Sequence, residues 1–327
     1  MTGSSPHAGR ARAQRGAALL AAMLTVTLVA TFAAAALWQQ WRNVEVETAE
    51  RARVQAAWVL TGALDWARLI LREDARSGGA DHLAEPWAVP LKEARLSSFL
   101  AADQDKAADN TTDMQDAFLS GQITDLQSRL NVFNLVNNNQ VSEPDFKAFA
   151  KLFELLGLPP QQLMTLAGNL RLALSTESSA GAAAPLAPQR VEQLVWLGLS
   201  PQVVAVLQPY ITLLPARTPV NINTASAEVI YASVPGLELA DAQRLVAERD
   251  RAHFRTLSDA GKLIGDLASR LSEGQHAVAT RFFEVYGRLR LEQTVVQERS
   301  VLQRDGIDVK TLWRERGVAD PAAQASR

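Results

Sequence analysis

The chain has 327 residues, 33 of them basic and 35 acidic, and no cysteine. That length allows one large domain or two smaller ones, and a hydrophobic share of 47% allows an ordinary packed core. A formal net charge of -2 supplies no global field to gather nucleic acid, and the missing cysteines exclude disulfides, thiolate nucleophiles and cysteine metal sites.

The stretch QRGAALLAAML, residues 14–24, sets Arg15 and Gly16 directly against an apolar run. From Ala17 to Leu37 no residue is charged, and a helix of that length spans roughly 30 Å, the thickness of a bilayer core. Arg10, Arg12 and Arg15 precede the run while Glu45, Glu47 and Glu50 follow it, so the positive-inside bias leaves the N-terminus cytoplasmic. The alternative is a secretory signal cut near Ala33-Ala34-Ala35, but the run exceeds the ~7–15 apolar residues such signals use. Trp38 and Trp41 stand at the outer end, where interfacial anchors belong.

Helical spacing continues beyond the span. Ala52, Ala56, Val59, Gly62, Trp66 and Ile70 recur at intervals of three and four, which predicts one helix from Ala17 to about Arg76, ended by Gly78-Gly79. Trp58 and Trp66 are expected to serve packing. Between 77 and 116, LKEARLSSFL reads as a short helix ahead of a polar loop, AADQDKAADNTTDMQD. The loop holds Asp103, Asp105, Asp109, Asp113 and Asp116 against Lys106; calcium is possible there, yet the EF-hand glycine and terminal glutamate are missing, so a solvated loop is the economical reading. Residues 117–136, AFLSGQITDLQSRLNVFNLV, read as a strand or hairpin.

From about 141 to 276 the pattern is helical. LLGLPPQQL, WLGLSPQVV and VPGLELADA each place Gly-Leu before a new helix, with Gly157, Gly198 and Gly236 as left-handed helix ends. STESSAGAAAPLAPQ, 175–189, interrupts the series as a low-complexity insertion. After 277, RFFEVYGRLRLEQ and TVVQERSVLQR alternate and pair naturally as antiparallel strands, and PAAQASR is a polar tail. Strands before and after the helices give an α+β class, with an all-α domain inserted into a strand-containing one.

VNINTASAEVIYASVPGLELADAQRLVAERD, 220–250, resembles a helix-hairpin-helix unit of competence-type DNA-binding proteins. Such a hairpin turns backbone amides towards phosphate. Here Pro235-Gly236 makes the turn but Glu238 stands where a second glycine is usual, which disfavours nucleic acid; Asn221, Asn223 and Thr224 are expected to cap and brace the helix. His7, His82, His253 and His276 are scattered, and no HExxH, GxSxG or phosphate-binding glycine loop occurs, so no catalytic residues are assigned and an enzyme is not expected.

Taken together, the Arg15-Gly16 junction, DHLAEPWAVPL at 81, GQITDLQSRLNVFNLV at 121, the NINTA segment and RSVLQRDG at 299 resemble the general secretion pathway protein K family, minor pseudopilins of type II secretion systems. The resemblance implies that residues 1–16 are a leader removed by prepilin peptidase after Gly16, leaving Ala17 as a methylated N-terminus. It implies a transmembrane helix at 17–37 in the lipid bilayer of the inner membrane. It further implies a periplasmic pilin-like α/β domain with an antiparallel sheet in two parts, 38–140 and 277–327, around an inserted α-helical domain at 141–276 containing helix-hairpin-helix-like units. Pilin relatives carry glutamate at the fifth mature position; here it is Ala21, which cannot pair with a neighbour's terminal amine and suits a subunit with none above it. The implied partners are minor pseudopilins I and J, the prepilin peptidase and the inner-membrane assembly platform. The family's usual Asn-Leu-Asn run becomes Asn131-Val132-Phe133-Asn134, and although some relatives bind calcium, no metal ligands are assigned to this sequence.

Overall fold

The computed structural model describes residues 11–97, 117–175, 184–291 and 294–318. The acidic run of 103–116, most of the 175–189 insertion and the PAAQASR tail lie outside the described residues. Two compact units are present, Met1–Trp58 and Val59–Arg327.

One helix, α1 (Ala11–Ser77), enters both. In the first unit its residues 17–50 are exposed throughout, including every apolar side chain from Leu19 to Leu37. In the second unit the helix buries Leu60, Leu64, Ala67 and Leu71, at spacings of four, three and four. The expected stripe holds only in part: Ala56 is buried and Ile70 packs against the core, but Gly62 is exposed and Trp66 is 43% exposed, so the buried face is displaced to one side of the one read from sequence. Trp58, expected to serve packing, is 73% exposed. Both stripes keep helical spacing, and only the sheet partner decides between them. Gly78 (φ +65°) and Gly79 (φ +118°) end the helix in backbone conformations that favour glycine.

The sheet that receives this face has five antiparallel strands in sequence order: β1 (Leu91–Arg95), β2 (Ala117–Asp125), β3 (Phe282–Leu291), β4 (Thr294–Asp305) and β5 (Asp308–Val318). Leu64, Leu71, Trp87, Phe283, Leu302 and Val309 form its core under α1. LKEARLSSFL was expected to be helical; instead Leu91–Arg95 pairs with β2 as an edge strand, the tertiary ladder overriding the helix propensity of Leu, Lys, Glu and Ala. The antiparallel β3–β4 pair forms where alternation predicts it. Strand β5 was not anticipated. It closes a tight hairpin through Gly306 (φ +59°) and fixes the last part of the sheet.

Between Asp125 and Phe282 the chain leaves the sheet and builds a helical part. It contains α2 (Glu143–Leu155), α3 (Pro160–Leu174), α4 (Pro201–Leu207), α5 (Ala227–Ser233), α6 (Leu239–Arg251) and α7 (Leu257–Ile264). Phe149, Phe153, Leu163, Leu170, Leu207 and Ile230 belong to its core. Gly157, Gly198 and Gly236 all have positive φ at helix ends, as the repeated Gly-Leu pattern requires. The strand expected over 117–136 stops at Asp125. Its second half forms short 3-10 turns at 126–128 and 132–135, because Asp125 and Asn131 accept from the amides of Gln127 and Phe133 and pull the backbone out of the ladder.

Candidate functional site

The N-terminal features begin with an apolar cylinder. Ala21 sits on α1 among exposed apolar residues, Ala17 is the first of them, and the backbone of Arg15 and Gly16 is helical. Thr25, Thr27 and Thr31 donate their hydroxyls to the carbonyls of Ala22, Met23 or Leu24, and Leu28. Every polar group of the run is thus satisfied within the helix, the condition for burial in hydrocarbon. The helix is long and apolar enough to cross a membrane. The Trp38 and Trp41 rings follow at 5.4 Å.

At the other end of the chain's architecture, where the helical part joins the sheet, a buried polar cluster gathers residues far apart in sequence. The Asp125 carboxylate accepts from Gln127 N at 2.7 Å, Asn221 Nδ2 at 2.9 Å and Thr224 Oγ1 at 2.6 Å. Asn221 Nδ2 also donates to Asp81 O at 3.1 Å, and Asp81 Oδ2 accepts from Thr280 N at 2.7 Å. The Arg304 guanidinium, from β4, reaches Asp81 and Asp74, each at 2.5 Å, and the Thr280 carbonyl at 3.0 Å. One network therefore fastens the end of α1, strands β2 and β4 and the NINTA segment together. Burial pushes the Asp125 carboxyl up to about 6 in spite of the donors that surround it. It also drives His276, on the two-residue strand that pairs with Val220–Asn221, down to about 4.

The residues singled out at 220–236 occupy this junction more than a helix end. Asn223 clasps Phe254 in both directions, with Nδ2 to the carbonyl at 2.9 Å and the amide to Oδ1 at 2.9 Å. The cap of α5 is Ser226, whose Oγ accepts from Val229 N at 3.4 Å. Capping expected of Asn221, Asn223 and Thr224 is corrected accordingly: their side chains are buried and spent on bracing. Pro235 and Gly236 (φ +79°) form an exposed turn between α5 and α6. Behind it Lys151 of α2 donates Nζ to the carbonyls of Tyr231, Val234 and Leu237 at 2.7, 3.1 and 3.2 Å. The cation is tied to the hairpin's carbonyls rather than offered to a phosphate, and Glu238 adds negative charge beside it. Both asparagines of the 131–134 run are likewise structural: Asn131 binds Ala216 O and Leu214 N, and Asn134 binds both Thr218 N and O.

Sequence reasoning did not foresee that Asp74, Asp81 and Glu85 bring carboxylate oxygens within 4.8 Å of one another. Calcium asks for roughly six to eight oxygen ligands. Here Arg304 already bridges Asp74 and Asp81, and Glu85 accepts from His82 N at 2.8 Å and Trp87 Nε1 at 2.7 Å. A dication beside the guanidinium would meet like charge, so these residues do not fit calcium. Glu85 is raised to about 7, chiefly by burial.

Comparison with known proteins bears on the whole arrangement. Two family models, both described as type II secretion system protein K, match residues 128–216 and 220–278. The type II secretion system protein K of Pseudomonas aeruginosa is 28% identical, over 94% of this chain and 94% of its own length. That of Pectobacterium carotovorum subsp. carotovorum is 25% identical, over 93% and 97%. Among solved structures, a chain of the GspK-GspI-GspJ complex from the enterotoxigenic Escherichia coli type 2 secretion system superposes with a TM-score of 0.65. It is 16% identical and covers 82% of this chain and 98% of that one, a likeness of fold.

Proposed function

The chain belongs to the type II secretion system protein K family, and from that premise we propose that it is a minor pseudopilin that helps initiate and cap the tip of a periplasmic pseudopilus. Export of folded proteins across the outer membrane then depends on it through assembly rather than catalysis, and we read it as no enzyme. The observation that carries the reading is the pairing of Ala21 with the apolar, internally satisfied helix around it. A helix of this kind packs against other helices in lipid through small and apolar side chains. Without a carboxylate at position 21, it offers no counter-ion to the amine of a subunit stacked above, which suits the last position in a fibre.

In this account prepilin peptidase cuts after Gly16, the N-terminus starts cytoplasmic, and the unit from Val59 onward lies in the periplasm. The partners are minor pseudopilins I and J, with the inner-membrane platform driving assembly; the superposition on a chain from a GspK-GspI-GspJ complex supports the first two. The competing reading, a membrane-anchored DNA-binding protein, is disfavoured by Lys151 and Glu238 at the hairpin. Co-purification from membranes co-expressing I, J and this chain tests the proposal. The expected result is one complex containing all three; separate elution of this chain from I and J under mild detergent contradicts it.

A further inference from the structure

At the junction, carboxylates from two segments of chain serve one cation that the chain itself supplies. Carboxylate oxygens of Asp74, Asp81 and Glu85 all lie within 4.8 Å of one another. Calcium holds its oxygen ligands at about 2.3–2.6 Å, so its shell measures about 4.6–5.2 Å across. The three carboxylates therefore fit within the width of a calcium shell. A polar cleft of about 240 Å³ is lined by all three, together with Thr280 and Arg304, and gives an ion a way in.

The oxygens are already spoken for. One terminal nitrogen of Arg304 donates to Asp74, and the other donates to Asp81 and to the Thr280 carbonyl. The guanidinium is also seated independently of these acids. It lies over the Phe283 ring at 4.8 Å from the centroid, a contact that suits a flat, weakly hydrated cation. Phe283 is wholly buried and meets Trp87 edge-on at 5.2 Å, and Trp87 Nε1 in turn donates to Glu85 at 2.7 Å. The Arg304 amide is tied to the Arg281 carbonyl at 2.7 Å, which fixes the stem of the side chain. Calcium, which the family resemblance raises, would have to share Asp74, Asp81 and the Thr280 carbonyl with a like charge that cannot lose its proton.

We propose that Arg304 stands in for a divalent cation at this junction, so that these oxygens take no calcium while the guanidinium is present and take one calcium-sized ion once it is removed. A cation carried on β4 differs from a bound one in its consequence: neither dilution nor a chelator can take it away. The helical part stays fastened to the sheet whether or not the medium supplies calcium. The substitution concerns the junction alone and does not depend on the pseudopilin reading.

The test is thermal melting of the detergent-solubilised full chain, followed by near-ultraviolet circular dichroism, in calcium chloride and in EGTA at matched ionic strength. Arg304→Ala empties the seat, Arg304→Ala with Asp81→Asn also removes a ligand, and Arg304→Lys leaves a cation in place. Calcium at about 5 mM is roughly a hundredfold above a Kd of about 50 μM, an affinity within the range of oxygen-ligand sites. An excess of that size raises the melting temperature of a chain of this length by about 5–10 °C. The expected result is that calcium raises the melting temperature of Arg304→Ala by about this much more than it raises that of the unaltered chain; taking the difference cancels any calcium bound elsewhere. The difference falls below about 2 °C in the double variant, in Arg304→Lys, and with magnesium, which dehydrates reluctantly and demands a near-ideal octahedron. Should Arg304→Ala not fold in EGTA, recovery of the native spectrum on adding calcium is the same result. Neither a difference nor a recovery in Arg304→Ala overturns the proposal. An equal rise in Arg304→Lys also overturns it, as does a calcium-induced rise in the unaltered chain that Asp81→Asn removes.

Discussion

Arg304 is the most consequential single residue of the junction. It is 8% exposed and joins Asp74, Asp81 and the Thr280 carbonyl, three points on separate segments of chain. Arg304→Met keeps much of the side chain's length and apolar contact while deleting the charge. The Asp81 carboxylate, 3% exposed, is then left buried with the Thr280 amide but no counter-ion. Removing one partner of a buried pair costs about 3–5 kcal/mol. At roughly 2–4 °C per kcal/mol for a chain of this size, the melting temperature falls by about 8–16 °C for a loss near 4 kcal/mol. The assay is near-ultraviolet circular dichroism of the detergent-solubilised full chain on heating. Arg281→Met is the control, since the Arg281–Asp305 pair is half exposed and worth less than about 1 kcal/mol. Adding Asp81→Asn to Arg304→Met restores part of the loss, because a neutral amide no longer strands a charge. A drop for Arg304→Met no larger than for Arg281→Met refutes the reasoning.

Two further outcomes follow from the same geometry. His276 is neutral when folded until about pH 4, whereas the unfolded chain takes its proton near 6.5, so acidification through that window removes up to about 3 kcal/mol. Asp125 works in the opposite sense: raised to about 6, it takes its proton before the unfolded chain does, and stability rises by about 3 kcal/mol as pH falls from 6 towards 4. Urea midpoints of His276→Gln should therefore climb between pH 6 and 4 relative to the unaltered chain; parallel curves would show that His276 is not buried neutral. Among the glycines, Gly121→Val should cost more than about 2 kcal/mol through its clash with the Tyr286 carbonyl, while Gly62→Ala, with nothing within 4 Å, should be neutral or stabilising by up to about 1 kcal/mol. Equal effects from the two substitutions in thermal melts would mean that the β2–β3 row is not packed as described.

How much of this could be read in advance depended on how local the signal was. The long helix, the β3–β4 pair and the turns at Gly157, Gly198 and Gly236 were legible because apolar spacing, alternation and positive φ each belong to a few consecutive residues. The face that α1 buries was not, since two stripes one residue apart satisfy the same period and the choice rests on Gly287 making room for Leu60. Residues 126–136 misled for a different reason: β-branched and aromatic residues suggested a strand, but Asp125 and Asn131 turn the backbone with their own side chains. The junction cluster joins Asp74, Asp81, Asp125, Asn221 and Arg304 across about 230 positions, and no short-range pattern announces it. Strand β5 needed attention to DGID, where Gly306 closes the hairpin and the alternation of DVKTLWRERGV is blurred by charge.

The central claim is that the chain is a processed pseudopilin, and the N-terminus of the membrane-extracted protein tests it most directly. Mass spectrometry is run on material from cells with and without prepilin peptidase. The account predicts a peptidase-dependent start at Ala17, one methyl group heavier than the bare residue, and an intact leader through Arg15 and Gly16 when the peptidase is missing. A start near Ala36, or an unprocessed Met1 in both strains, would contradict it.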